Sequence, residues 1–208
     1  KAVSANLRLD LEGDLYWDSP VAASRFKALR SSIIKQIAYS QNGPLYNKIS
    51  VGEERSILSF KPFSTALLKS GLLPIAKGNK YDESSVMPAL YDVNNHNHPK
   101  EMEKCKKKVV QLLNFCYDFV EERYRSVFER EKYFIVSDRG TYAFITLIGS
   151  LNTFLINKKE LSRSSPPKER FESLEKYLDA VLQKISTLTK ENEDKYLSLL
   201  GAGADVKW

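Results

Sequence analysis

The chain has 208 residues, 42% of them hydrophobic and 28% charged, the usage of an ordinary folded domain, which excludes wholesale disorder. Its 32 Lys and Arg against 26 Asp and Glu leave a net charge of +6, which permits a polyanionic partner without requiring one. No apolar run approaches the ~20 residues of a membrane span. The opening Lys1-Ala2-Val3-Ser4 has neither an initiator Met nor an apolar signal core, so the expectation is a cytoplasmic fragment of a longer protein with no membrane partner.

Asp18-Ser19-Pro20 reads as a helix start, a capping side chain followed by a proline suited to the first turn. Phe26, Leu29, Ile33 and Ile37 give its apolar stripe, and Gln41-Asn42-Gly43-Pro44 stops it. Leu45 to Val51 alternates apolar and polar positions, as a short strand does, and Ile57-Leu58 is the expected partner across Gly52-Glu53-Glu54. Ser59 is placed to cap a helix carrying Phe63, Ala66 and Leu67 and ended by Gly71. Between Pro74 and Pro99 the periodicity dissolves around Gly78, Pro88 and an Asn-rich run, and a mobile loop is predicted over 74–99.

Beyond Pro99 the pattern is strongly helical. Met102, Cys105, Val109, Leu112, Cys116 and Phe119 step by three and four, and Val127 and Phe128 prolong the stripe to about thirty residues. Cys105 and Cys116 share that stripe, about 16 Å apart along the axis, too far to bridge, so they are predicted to be buried free thiols of a reduced compartment. Tyr133 to Val136 reads as extended. Ser137-Asp138 then caps a helix through Tyr142, Ile145, Ile148, Leu151 and Leu155, whose apolar residues cover so much of the circumference that it is expected at the centre of the core. Ser164-Ser165-Pro166-Pro167 opens another amphipathic helix with Phe171, Leu174, Leu178, Val181, Ile185 and Leu188, and Glu191 to Leu200 makes a last short one. The predicted fold is mainly α, a bundle-like single domain over 1–208 with two or three short strands.

Two segments could carry chemistry. Lys104, Lys106, Lys107 and Lys108 form a basic cluster early in the long helix that could neutralise phosphates; Glu101 and Glu103 nearby equally suit a solvated face. Ser137, Gly140 and Thr141 at a helix start, with Arg139 beside them, could hold a phosphate on free N–H groups, or simply cap and pack the helix. Asn95-His96-Asn97-His98 is read as a polar loop, because two histidines without further ligands do not build a metal site. No nucleophile elbow, paired-carboxylate motif or zinc-binding pattern is present, so neither catalysis nor a cofactor or metal is expected of this segment.

Several of these pieces, in order, resemble the C-terminal half of the DGQHR-domain family, which joins a ParB-like nuclease-type domain to a helical region and includes DndB-related proteins of DNA phosphorothioation systems. Lys1-Ala2-Val3-Ser4-Ala5-Asn6-Leu7 is similar to the segment leading out of the family motif. Gly43-Pro44-Leu45-Tyr46-Asn47-Lys48-Ile49 matches a later Ser-Pro-hydrophobic-Tyr stretch with Gly for Ser, and a Ser-containing helix follows at Ser59 to Leu68. Phe134-Ile135-Val136-Ser137-Asp138-Arg139-Gly140-Thr141-Tyr142-Ala143-Phe144 resembles the segment that begins the family's core helix. Asp-Gly-Gln-His-Arg itself is absent, so no catalytic residue carries over. The resemblance implies an accessory helical domain beside a ParB-like domain, in a DNA-associated protein linked to DNA modification or antiviral defence. With the lysines and Arg139 it gives the expectation of DNA binding through phosphates. The alternative is a protein-interaction or homo-oligomerisation module, for which the long helix's seven-residue spacing and the 11 Tyr and 10 Phe would supply the surface.

Overall fold

The computed structural model describes residues 16–52, 55–128 and 135–187, and it is mainly α-helical with a few two-residue strands. In chain order the elements are α1 (Ala22–Tyr39), β1 (Ile49–Ser50), β2 (Leu58–Ser59), α2 (Phe60–Lys69), β3 (Ala76–Lys77), β4 (Lys80–Tyr81), α3 (Glu83–Val86), α4 (His98–Arg123), α5 (Arg125–Phe128), α6 (Asp138–Asn157) and α7 (Pro167–Ser186). The short helix expected over Glu191 to Leu200, and Tyr133 and Phe134 of the expected extended segment, lie outside the described residues. Ile135 and Val136 are described and form no strand; their N–H groups donate to the Val127 and Phe128 carbonyls at 3.3 Å.

α4, rather than the predicted α6, occupies the centre. It buries Met102, Cys105, Val109, Leu112, Leu113, Cys116, Tyr117 and Val120 and packs between α1 and α7. α6 covers one side and leaves Ser150 and Phe154 exposed, so its apolar breadth serves a flank as well as the core. α4 is also shorter than its stripe suggested. Tyr124, at φ −130° and ψ 46°, breaks the helix, and α5 carries Val127 and Phe128 back onto the core in a new direction. The Tyr124 hydroxyl donates to Asp179 Oδ1 at 2.6 Å, which fixes the break against α7.

Side-chain contacts set the helix directions. Lys106 sits over the Trp17 ring and Lys48 pairs with Glu121, so α1 runs parallel to α4. Asp138 Oδ1 accepts from the Ser59 N–H at 2.6 Å, and Gly149 meets the Ser70 carbonyl, so α2 lies parallel along α6. A Cβ on Gly149 would fall 1.8 Å from the Ser70 oxygen, so only glycine allows this approach. Ser59 does begin α2, but its side chain makes no capping bond; Asp138 braces that start from the other helix.

Three further expectations change. α1 begins at Ala22, and its first N–H groups are taken by Asn79 Oδ1 at 2.8 Å and the Gly78 carbonyl at 3.0 Å. The cap therefore comes from the β3–β4 turn, a contact that local sequence does not carry. β1 and β2 pair in parallel, Ile49 with Leu58 and Ser50 with Ser59, so the link between them is no hairpin, and Ile57 is exposed. On α7 the buried stripe is Arg170, Leu174, Leu178 and Leu182, turned so that Val181 is exposed.

The 74–99 stretch holds the antiparallel β3–β4 pair and the helical turn α3, capped by Asp82. Its later residues Leu90 and Tyr91 are buried, and the Pro88 carbonyl accepts from Asn152 Nδ2 at 3.0 Å. Cys105 and Cys116 are buried and unbridged as expected, and burial pushes both thiols well above their ordinary range.

Candidate functional site

The start of α4 explains the Asn-His run in structural terms. Asn97 is the N-cap, its side chain accepting from the Lys100 N–H at 3.2 Å, and Pro99 occupies the first turn where its missing N–H costs nothing. Asn95 Nδ2 donates to Glu101 Oε2 and the Asp92 N–H donates to Glu101 Oε1, both at 3.0 Å. Glu101 is only 1% exposed, so it ties this loop to the helix from below.

The four predicted lysines do not act as one group. At 3.6 residues per turn, Lys104, Lys107 and Lys108 fall within roughly a 100° arc, and Lys100 falls in the same arc. Lys100, Lys104 and Lys107 are exposed, with Lys104 Nζ 3.7 Å from Glu101 Oε2. Lys106 points about a third of a turn away. Its ammonium is 2.6 Å from Glu103 Oε2 and 5.3 Å from the Trp17 ring centroid, so it fastens the chain before α1 to α4. Burial, and then the positive field of Lys104, lower the Lys108 pKa, and Arg170 adds to it. The buried Glu101 carboxylate opposes them.

Arg170 was legible only as a polar residue one step from an apolar stripe. It is 1% exposed, with Nε donating to the Ser165 carbonyl at 3.1 Å, Nη1 to Asn152 Oδ1 and Nη2 to the Ser162 carbonyl. Burial lowers its pKa to about 10, so it stays charged at neutral pH, held by carbonyl dipoles. Arg163, from the same loop, donates to the Tyr91 carbonyl at 2.9 Å. This ties the loop before α7 to the segment that leads into α4.

Arg139 is elsewhere. It is exposed at the start of α6, which follows α5 beyond the far end of α4. Lys104 to Arg123 alone spans about 28 Å of helix, so the structure does not bring Arg139 to the lysines. At that start the Ser137 hydroxyl accepts from the Gly140 N–H at 3.0 Å, and the buried Thr141 hydroxyl donates to the Ile135 carbonyl at 2.8 Å. The Asp138 carboxylate already faces the positive end of the helix dipole.

Among the described residues no three His, Cys, Asp or Glu side chains converge as metal ligands, and no helix is long and apolar enough to cross a membrane. Neither family models, nor curated proteins, nor solved structures contain a match to this chain.

Proposed function

We propose that this chain is an accessory helical domain that holds DNA by its phosphates, without base readout and without chemistry of its own. The observation that carries the reading is the alignment of Lys100, Lys104, Lys107 and Lys108 along one side of α4, three of them exposed and none paired closer than 3.7 Å among the described residues. Ammonium groups spaced along a rigid helix release counterions from a phosphate backbone and confer no sequence preference. The order of the Gly43–Ile49, Ser59–Leu68 and Phe134–Phe144 segments adds the family resemblance, under which the domain serves a ParB-like neighbour in a DNA-modification or defence protein.

Fluorescence anisotropy with a duplex at low salt tests it. The triple variant Lys104→Glu, Lys107→Glu, Lys108→Glu should lose at least about tenfold in affinity, while Lys106→Gln loses much less. Equal binding by wild type and triple variant defeats the reading.

A second reading rests on the outer face of α6 and α7. From Gly140 to Asn157 there is no Lys, Arg, Asp or Glu, Phe154 and Val181 are 40% and 37% exposed, and Phe154 meets Tyr177 edge to face at 5.8 Å. That aromatic pair, with Lys158 over the Phe154 ring and Lys176 over the Tyr177 ring, suits a protein partner or a second copy. Sedimentation showing a concentration-dependent dimer that Phe154→Glu abolishes, with no DNA affinity, favours it over the first.

A further inference from the structure

The parallel run of α1 and α4 leaves a cavity of about 350 Å³ between their N-terminal ends, lined by Asp18, Ser19, Pro20, Arg25, His98 and Pro99. Arg25 is 4% exposed, and among the described residues no carboxylate pairs with it. Nη1 donates to the Ser19 carbonyl at 2.6 Å, and the sealed Nε has no partner among the described residues. A guanidinium this deep, with no carboxylate paired to it among the described residues, favours an anion beside it.

The neighbours point the same way. The Tyr91 hydroxyl lies 3.1 Å from His98 Nδ1. In the tautomer that serves an anion, the Tyr91 hydroxyl donates to Nδ1 and the imidazole carries its own proton on Nε2, as a donor. His98 is also the first residue of α4, a 26-residue helix whose dipole is positive at this end. The two proline rings add apolar walls. Asp18, exposed at the rim, is the one carboxylate of the lining.

We infer that this cavity binds a small phosphate monoester, its phosphoryl oxygens facing Arg25 and His98 and its organic part lying against Pro20 and Pro99. The size suits a mononucleotide, either free or as the 5′-phosphorylated end of a strand. The inference does not depend on the lysine face.

Calorimetric titration of the full chain with inorganic phosphate and with a nucleoside monophosphate tests it. Both should bind, the monophosphate more tightly. His98→Ala should weaken binding about tenfold, the loss of one donor to a charged group. Asp18→Asn, a change at an exposed residue, should tighten it by removing the opposing charge, and replacing Lys104, Lys107 and Lys108 with Gln should weaken it less than His98→Ala does. A preference for a 5′-phosphorylated over a 5′-hydroxyl oligonucleotide, lost in His98→Ala, identifies a strand end as the ligand; binding of the monophosphate without that preference identifies a free monoester. No binding of either phosphate, or binding indifferent to both His98→Ala and Asp18→Asn, overturns the inference.

Discussion

Lys106 and Lys104 are two residues apart and do different work, which only the helix phase separates. Lys106 closes on Glu103 and Trp17, so replacing it should lower stability slightly and leave DNA affinity nearly intact. Arg170 is the residue on which the α6–α7 junction turns. Arg170→Ala would strand the Ser162, Ser165 and Asn152 acceptors and open a polar void. Denaturant unfolding should show a loss of about 3 kcal/mol or more, against little change for the exposed Lys168→Ala. Asp118 gives a pH signature. Burial, then Glu122 and Glu121, raise its pKa to about 6 from 3.8. A carboxyl raised in the fold stabilises it fully below the unfolded pKa, and that contribution fades as pH rises through 6. Asp118→Asn should therefore gain about 1 kcal/mol at pH 7.5, after allowance for solvent screening of a half-buried group, and nothing at pH 3.5.

At the scale of elements, the helices were legible because their stripes are long. Ser137 with Gly140 is a start signal contained within four residues, whereas Asn97, read as part of a polar loop, proves to be the cap of α4. What sequence could not supply came from distant partners. The α1 cap is Asn79, and Asn79→Ala should cost about 1 kcal/mol in an unfolding titration although it lies in a stretch without periodicity. Gly149 reads in sequence as a mild helix weakener, yet it admits the Ser70 backbone. Gly149→Ala should destabilise by about 3 kcal/mol or more, the reverse of the gain that alanine gives at an exposed helical glycine. The misplaced centre has a similar cause: apolar breadth alone does not say whether a helix is surrounded or lies beneath others. Among the candidate site residues, the common face of Lys104, Lys107 and Lys108 followed from spacing, whereas the remoteness of Arg139 depended on the break at Tyr124 and the path through α5.

For the whole molecule, the central claim is that a rigid α4, held between α1 and α7, presents a row of ammonium groups to a phosphate backbone while the domain itself performs no reaction. Four such contacts predict a slope near −3.6 for the logarithm of the DNA affinity against the logarithm of salt concentration. The most direct test is that slope, measured by anisotropy on one duplex between 50 and 200 mM salt. The account predicts that affinity falls about a hundredfold over this range, equally for unrelated duplex sequences, and that the slope flattens to near −1 when Lys104, Lys107 and Lys108 become Gln. A slope near zero in the wild type, or one that the three glutamines leave unaltered, would contradict it.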